Sequence, residues 1–195
     1  MAQIGLKYFA VAPVSAYSAG SEPTYGTGMK VGHLMKADLT WNRGDVKLFG
    51  DNIEVERDNS ITSGQLTIGT TYLSKDGRLM LLDEAAFGTP GTGEPQEYAT
   101  GGDPGPVVGC GYVWKDSADG GTAQYIAYWY YRVQFSMNET MNTKGENTEY
   151  GTPELVGEIM GCQPASSLET KFRKYAYFTT EADAIAWLKA IAGIT

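Results

Sequence analysis

The sequence has little of the chemistry that enzymes and metal sites use. Its 195 residues include one histidine, His33, and two cysteines, Cys110 and Cys162. His33 lies among alternating apolar residues, which favours a core or interface histidine, and the GCGY segment around Cys110 lacks the spacing of a nucleophile elbow. A nucleophilic pair of Cys110 and His33 remains an alternative, because such groups meet in space rather than in sequence. We therefore expect no enzyme, no metal site and no cofactor.

Long apolar runs and an excess of positive charge are also missing. No window approaches the roughly 18 apolar residues of a membrane span, and the N-terminal MAQIGLKYFA lacks the pattern of a signal peptide. Both cysteines are therefore expected to be reduced thiols. The chain has 15 basic and 23 acidic residues, a net charge of −8. Such a chain is poorly suited to gripping nucleic acid, although it could surround it.

The abundant residues favour a single β-dominated domain across residues 1–195. Glycine (25 residues), proline (8) and aromatic side chains (12%) suit a turn-rich β fold. Polar stretches rich in small residues predict extended loops at about 12–28, 87–106 and 138–149. Period-two alternation predicts strands near residues 4–11, 29–41, 44–58, 63–73, 107–115, 125–135, 155–160 and 171–178.

Two helices are expected beside these strands. A change to three- and four-residue spacing, at Leu79, Leu82 and Ala86, predicts a helix from about Lys75 to Ala86 with Ser74 as its N-cap. Thr180 is predicted to cap a C-terminal helix whose first turn carries Glu181 and Asp183, because acidic residues are stabilising at a helix N-terminus. Its expected buried stripe is Ile185, Leu188 and either Ile191 or Ala192. The expected fold is mainly β with one flanking helix and one C-terminal helix.

The segment GDVKLFGDNIEVERD predicts a hairpin whose turn lies within Gly50, Asp51 and Asn52. Either Gly50-Asp51 or Asp51-Asn52 can supply the two central residues without a change of faces, and the first placement puts Lys47 opposite Glu54. Three acidic residues form a stripe on the second face of the return strand: Glu54, Glu56 and Asp58. The spacing follows one strand face and does not wrap an ion, so solvated or cavity-facing charge is favoured over a Ca²⁺ site.

The segment YIAYWYYRVQF, residues 125–135, is apolar on both faces of any strand that it forms. Antiparallel strands commonly leave one face in water, so the second face here needs a cover. We expect the cover to come partly from helices of this chain and partly from a neighbouring copy. The predicted contact residues on the strand are Tyr128, Trp129, Tyr130 and Tyr131. Those in the following hairpin tip are Asn142, Thr143, Lys144, Gly145, Glu146 and Asn147.

Three segments resemble one known family when they are taken in order. They are IGLKYFAVAPV, then LMKADLTWNRGDVKLFGDNIEVERDNSITSGQLTIGTTYLS, and later YWYYRVQFSMNETMNTKGENTEYGTPELVGEI. Together they resemble the major tail proteins of long-tailed, non-contractile phages, particularly those of Gram-positive hosts. The resemblance spans about residues 4–160 and depends on the order and spacing of its parts, including the turn at Gly50 to Asn52 and the strand at Gly64 to Ile68.

The resemblance implies a fold, an assembly and a role. The fold would be the β-sandwich or half-barrel of tail tubes. Six copies would form a ring around a shared inner β-barrel, and rings would stack into the tube through which the genome leaves the virion. Partners would be further copies and other tail proteins, such as the tape measure and the terminator, in the host cytoplasm during assembly and then in the virion tail. No membrane and no catalytic residue is implied.

DNA would pass through such a tube without specific binding. A basic wall would exchange counterions for phosphates and hold the DNA, whereas an acidic wall repels it modestly. The stripe of Glu54, Glu56 and Asp58 is therefore a candidate for the wall of the channel.

Two other classes of protein remain open. One is a monomeric β-sandwich that binds carbohydrate or another surface through Trp114, Trp129 and tyrosines. The other is a different ring-forming virion component, such as a decoration or terminator protein.

The hairpin tip gives the first testable prediction. Deleting Asn142 to Asn147 is expected to leave a folded subunit that does not form tubes, because the tip would make contacts between rings. Circular dichroism would test the fold, and electron microscopy of concentrated protein would test assembly. Normal tubes from the deletion variant would contradict this placement of the ring-to-ring contact.

Overall fold

A computed structural model of the chain describes residues 2–51, 53–82, 105–117, 124–138, 152–164 and 169–195. In these ranges the protein is mostly β with two helices and a large antiparallel sheet, which confirms the predicted fold class. The strands are β1 (Ala2–Ala16), β2 (Thr24–Tyr25), β3 (Met29–Lys30), β4 (Leu34–Arg43), β5 (Val46–Gly50), β6 (Ile53–Asp58), β7 (Ile61–Thr70), β8 (Val107–Ser117), β9 (Gln124–Asn138), β10 (Glu154–Met160) and β11 (Arg173–Phe178). The helices are α1 (Lys75–Leu82) and α2 (Glu181–Ala192).

The large sheet branches at its longest central strand, β9. The main path runs β2-β1-β8-β9-β10-β7-β4, with β3 also paired to β1. One edge of β9 is paired with β8, and the other edge is shared by two strands. Residues 125–130 pair with β11, and residues 132–138 pair with β10. The sheet therefore divides into two wings that leave β9 in different directions.

A sharp bend at Gly32 curls the sheet back on itself. Strand β3 pairs with β1, whereas β4, which begins four residues later, pairs with β7 at the far end of the path. Gly32 has φ +47°, and a Cβ atom there would lie 2.5 Å from the carbonyl oxygen of Tyr72. Only glycine meets both conditions without strain. The bend thus links the two ends of the sheet and produces a half-barrel.

The same bend interrupts the predicted alternation of residues 29–41 at residues 33–35. His33 and Met35 are exposed and Leu34 packs against the core, whereas Ala37, Leu39 and Trp41 pack against the core as the alternation predicts. The bend and a register shift between Leu34 and Lys36 exchange the two faces over this short stretch alone. The core alternative for His33 was therefore wrong, while the interface alternative stays a prediction. His33 shares no site with Cys110, which is fully buried.

The core has two layers, one on each side of the sheet. The larger layer fills the concave side of the half-barrel and is closed by Leu81 and Leu82 of α1. The smaller layer lies between the sheet and α2 and contains Trp129 and Leu188. The chain therefore covers both faces of its central strands from its own residues.

The two helices begin where the sequence predicts. The Ser74 hydroxyl accepts a hydrogen bond from the Gly77 N–H at 3.2 Å. Thr180, in extended conformation, accepts one from the Asp183 N–H at 3.2 Å. The predicted extension of α1 to Ala86 lies outside the described residues.

The buried face of each helix differs in part from the prediction. On α1 the buried residues are Gly77, Leu81 and Leu82, whereas Leu79, expected to be buried, is 44% exposed. On α2 the fully buried residues are Ala184, Leu188 and Ala192. Small residues dominate the α2 contact, so this helix lies close to the sheet.

Residues 12–28 are not the extended loop that their composition predicts. Strand β1 continues to Ala16, and β2 pairs back onto it. The Gly28 N–H then donates to the Ala192 carbonyl at 2.7 Å, which ties the segment to the end of α2. The segment is therefore packed against its own domain, and the predicted loops at 87–106 and 138–149 lie largely outside the described residues.

Glycine at two positions in β8 allows large side chains to pack across the sheet. A Cβ atom at Gly109 would lie 2.4 Å from the Tyr25 ring, and one at Gly111 would lie 2.4 Å from the Tyr128 carbonyl and 2.8 Å from Leu188. The GCG sequence around Cys110 thus serves packing.

Replacing Gly111 by alanine is expected to lower the free energy of unfolding by about 1–3 kcal/mol, because the new methyl group overlaps fixed backbone. Urea denaturation would measure the change. The matched control is Gly5→Ala, since nothing lies within 4 Å of a Cβ atom built at Gly5. Equal stability of the two variants would contradict the close packing at Gly111.

Candidate interaction surfaces

The hairpin of β5 and β6 projects from the domain as an arm, defined here as residues Asp45–Asp58. Within the described residues its strands pair only with each other, in a two-stranded sheet separate from the large one. Three apolar side chains on it are about two-thirds exposed: Val46 (68%), Ile53 (69%) and Val55 (66%). Such exposure is unusual for a protein with a well-filled core, and contiguous exposed apolar residues mark interaction sites.

The turn of the arm follows the second of the two predicted placements. Gly50 pairs with Ile53, so Asp51 and Asn52 are the central residues. Asp51 has φ 51°, the left-handed conformation that the first central position of a type I′ turn requires. Asn52 itself lies outside the described residues.

The pairing along the arm differs from the prediction. Lys47 lies opposite Arg57, not Glu54, because the turn lies one residue further along the chain and a register shift between Leu48 and Phe49 places an extra residue in β6. Arg57 pairs with Asp45 at 2.8 Å, and this ion pair lowers the pKa of the Asp45 carboxyl. Lys47 lies 3.7 Å from the same carboxyl group. The basic residues of the arm therefore share one acidic partner.

The predicted acidic stripe of Glu54, Glu56 and Asp58 is exposed along its whole length. In the ranges that the structure describes, no cluster of histidine, cysteine, aspartate or glutamate is arranged to hold a metal ion. The arm has five acidic and two basic residues between Asp45 and Asp58, a net charge of −3. The arm is thus both apolar and acidic on its surface.

Three of the four tyrosine and tryptophan residues predicted to contact a neighbour on β9 are enclosed by their own chain. Trp129 is fully buried, with the Tyr25 ring 5.2 Å away in an edge contact. Tyr130 is fully buried, with its hydroxyl 3.2 Å from that of Tyr112. Tyr131 is 3% exposed, and its carbonyl accepts a hydrogen bond from Tyr25. Trp129, Tyr130 and Tyr131 are therefore corrected from interface to core, whereas Tyr128 stays half-buried.

A β-bulge explains much of the two-faced apolar pattern of β9. Between the pairs Val108–Val133 and Cys110–Tyr130, β9 has one residue more than β8. The bulge reverses the alternation, so Tyr130 before it and Val133 after it both belong to the concave core. Residues 12–28 and α2 cover the opposite face, and the predicted hairpin tip at 142–147 lies outside the described residues.

A row of aromatic rings crosses the sheet from β8 to β11 and reaches the solvent. This aromatic row consists of Trp114, Tyr128, Tyr175 and Tyr177. The ring centroids of successive members lie 6.2, 5.8 and 5.8 Å apart. Tyr175 is 52% and Tyr177 62% exposed, so the outer half of the row is open to water.

Positive charge accompanies the aromatic row. The Arg173 guanidinium lies 5.0 Å from the Tyr128 ring centroid and 5.6 Å from that of Trp41, both within cation–π range. Residues 171–178 contain three basic side chains and no acidic one. The three are Lys171, Arg173 and Lys174. This basic strip is conspicuous on a protein with a net charge of −8.

The alternation of the sequence predicts which residues of β11 share a face, although the sequence analysis assigned no function to them. Alternation in KFRKYAYF places Arg173, Tyr175 and Tyr177 on one face of a strand, as found. The missing information was the neighbouring strand, because β11 pairs with β9, some 45 residues earlier in the chain. Non-local pairing of this kind leaves no local signal.

No protein-family model matches the chain, and no curated protein matches it. None of the helices in the described ranges has the length and apolar character needed to cross a membrane.

Buried tyrosines make stability depend on alkaline pH. Burial raises the pKa values of Tyr25, Tyr112, Tyr130 and Tyr131 above their ordinary value of 10.0. The protonated forms are therefore favoured by folding. Their contribution is fully present below about pH 10 and is lost as the pH rises from there toward the folded pKa values, because the unfolded chain then ionises first.

We expect the free energy of unfolding to be flat up to about pH 9 and to fall above about pH 10, by up to about 1.4 kcal/mol per pH unit for each buried tyrosine. Urea titrations across this range, with tyrosinate absorbance as a second signal, would measure the decline. Tyr112→Phe is expected to make it shallower, and Tyr72→Phe, which removes an exposed hydroxyl, serves as the control. An identical slope in wild type and Tyr112→Phe would contradict the prediction.

Proposed function

We propose that this protein is the major subunit of a non-contractile phage tail tube. Copies form six-membered rings, and the rings stack into the conduit for genome ejection. The observation that carries the proposal is the arm, a self-paired hairpin with Val46, Ile53 and Val55 about two-thirds exposed. The resemblance of residues 4–160 to tail tube proteins agrees with it in the order of their segments.

In a single copy the arm has no packing partner for its three exposed apolar side chains among the described residues. An isolated two-stranded hairpin is marginally stable in water. Burying one valine or isoleucine side chain contributes about 1.5–3 kcal/mol. Every copy carries the same three side chains, so each copy that joins an assembly can bury three more of them. A surface of this kind suits a polymer better than a solitary domain.

Unpaired sheet edges support the same proposal. Strand β4 ends the main path of the sheet, and β11 pairs with β9 alone. Each therefore presents one edge without a partner strand among the described residues. Exposed edges invite pairing with other chains, and a shared barrel removes them.

The charge of the chain fits a conduit through which DNA slides. A net charge of −8 in every copy gives rings that repel rather than bind phosphate. The exposed residues Glu54, Glu56 and Asp58 are our candidates for the channel wall. Tape measure and terminator proteins would be further partners, in the host cytoplasm during assembly and then in the virion tail.

A second candidate function is favoured by the aromatic row. Tyr175 and Tyr177 are exposed rings in line with Trp114, and rows of this kind can stack on sugars. A carbohydrate-binding domain would use the row as a monomer. The predicted participation of Trp129 in such a platform was wrong, since Trp129 is fully buried.

Electron microscopy of the concentrated wild-type protein is expected to reveal tubes, whereas the triple variant Val46→Ser, Ile53→Ser, Val55→Ser is expected to stay monomeric. The change removes apolar area needed for contact, and near-UV circular dichroism should remain unchanged because the three side chains are exposed.

The matched control is Leu79→Gln, which removes an exposed apolar side chain from α1 and should leave assembly intact. Isolated single rings would favour a decoration or terminator protein instead. A wild-type protein that stays monomeric at every concentration, by analytical ultracentrifugation, would overturn the tube proposal.

A further inference from the structure

Exposed apolar side chains are concentrated at two places on the described surface. Nine large hydrophobic residues are exposed there, and five of them lie on the arm or on β11. The five are Val46, Ile53, Val55, Tyr175 and Tyr177. The remaining four are scattered over other elements, so these two sites dominate the apolar surface.

The β11 site combines rings, positive charge and a free strand edge. It is defined here as the β11 surface: Lys171, Arg173, Lys174, Tyr175 and Tyr177. Lys174 belongs to the opposite face of the strand from the two exposed tyrosines, with its amino group 5.4 Å from the Tyr131 ring centroid. One edge of β11 is paired with β9, and the other edge has no partner strand among the described residues. Helix α2 does not hide the two tyrosines, because it packs on the opposite face, where Phe178 meets Trp187 at 6.2 Å.

The arm complements this surface in charge and in length. The arm carries a net charge of −3, and residues 171–178 carry three basic side chains and no acidic one. Strands β6 and β11 are each six residues long. The arm also supplies exposed aliphatic side chains, which pack well against tyrosine rings.

The outer face of β4, β7 and β10 is a weaker partner for the arm. Its charges are already matched within the chain, since Lys36 lies 3.0 Å from Asp38 and 3.1 Å from Glu154. Gln65 likewise donates to Glu158 at 3.0 Å. That face offers the acidic arm no surplus of positive charge.

We infer that the β11 surface receives the arm of a second copy of this chain. The arm adds along the free edge of β11, with Ile53 and Val55 against the tyrosine rings and its acidic residues beside Lys171 and Lys174. This inference rests on the proposed function and names the contact by which copies join. Strand addition of this type gains main-chain hydrogen bonds along the free edge. Lys174 already pairs with Glu22 of its own chain at 3.5 Å, so the acidic residues of the arm would compete with Glu22 for this amino group.

Directed cross-linking tests which surfaces meet. One preparation carries Val55→Cys and a second carries Tyr177→Cys, and the two are mixed with a short bismaleimide reagent. The native thiols do not interfere, because Cys110 and Cys162 are buried and burial raises the pKa of both. We expect a cross-linked dimer in the mixture. The control replaces Tyr177→Cys by Tyr72→Cys, which lies at an equally exposed tyrosine elsewhere and should give none.

Charge exchange tests the same contact without cross-linking. Two double variants are made: one carries Glu54→Lys with Glu56→Lys on the arm, and the other carries Lys171→Glu with Lys174→Glu on the β11 surface. Each should raise the protein concentration needed for assembly by roughly tenfold or more. Assembly should return when the two proteins are mixed, and in a single chain that carries all four changes. Near-UV circular dichroism establishes that each variant is folded.

The outcomes separate this inference from the proposed function. If wild type forms tubes while both pairs of charge variants assemble normally and no cross-link forms, the receiving surface is misassigned and the tube proposal stands. If wild type never assembles, both proposals fall. Binding of a glycan array by the monomer, lost in Tyr175→Ala, Tyr177→Ala, would assign the β11 surface to carbohydrate and overturn the inference.

Discussion

The central strand β9 must be paired along both edges and covered on both faces, and much of the fold follows from that requirement. Two strands share one of its edges, because β11 and β10 each pair with about half of its length. The bulge near Tyr131 allows the strand to serve two differently directed wings. One face closes the half-barrel, while α2 and residues 12–28 close the other. Trp129 lies at the centre of that second layer, in the space that Gly109 and Gly111 leave.

Local patterns predicted the elements well and their faces less well. The mainly β class, both helix caps and the alternation of β11 follow from propensity and spacing, which are local properties. The two-residue alternation is interrupted at Gly32, at Tyr8 and in β9, in each case by a bend or a bulge. Tyr8 lies in a bulge of β1 with φ 56°, a conformation rare for tyrosine. No single-sequence pattern reports such an interruption, so the sequence did not show that His33 and Met35 are exposed or that Tyr130 and Val133 belong to the same core layer.

The candidate surfaces illustrate the same limit. The arm and its turn were predictable because both strands and the turn are contiguous in sequence. The burial of Trp129, Tyr130 and Tyr131 was not, because their contacts are non-local. Tyr25 contacts Trp129 and Tyr131, Leu188 of α2 shares a core layer with Trp129, and Tyr112 of β8 contacts Tyr130. The prediction of a contact with a neighbouring copy on β9 was therefore based only on the apolar character of that strand. The exposed rings instead lie one strand further out, on β11, whose outer edge pairs with no other strand of the described residues.

The acidic charge of the arm bears on which contacts are favourable between copies. Two arms carry the same charge, so pairing of arm with arm, which their exposed valine and isoleucine side chains would otherwise favour, is opposed by repulsion. The same charges favour an approach to the basic strip on β11. A contact between two unlike surfaces does not saturate in a dimer, since each added copy presents one free arm and one free β11 surface. It continues until the rotation between copies closes a ring or an open filament grows. A chain with these two surfaces would therefore assemble into rings or filaments rather than symmetric pairs.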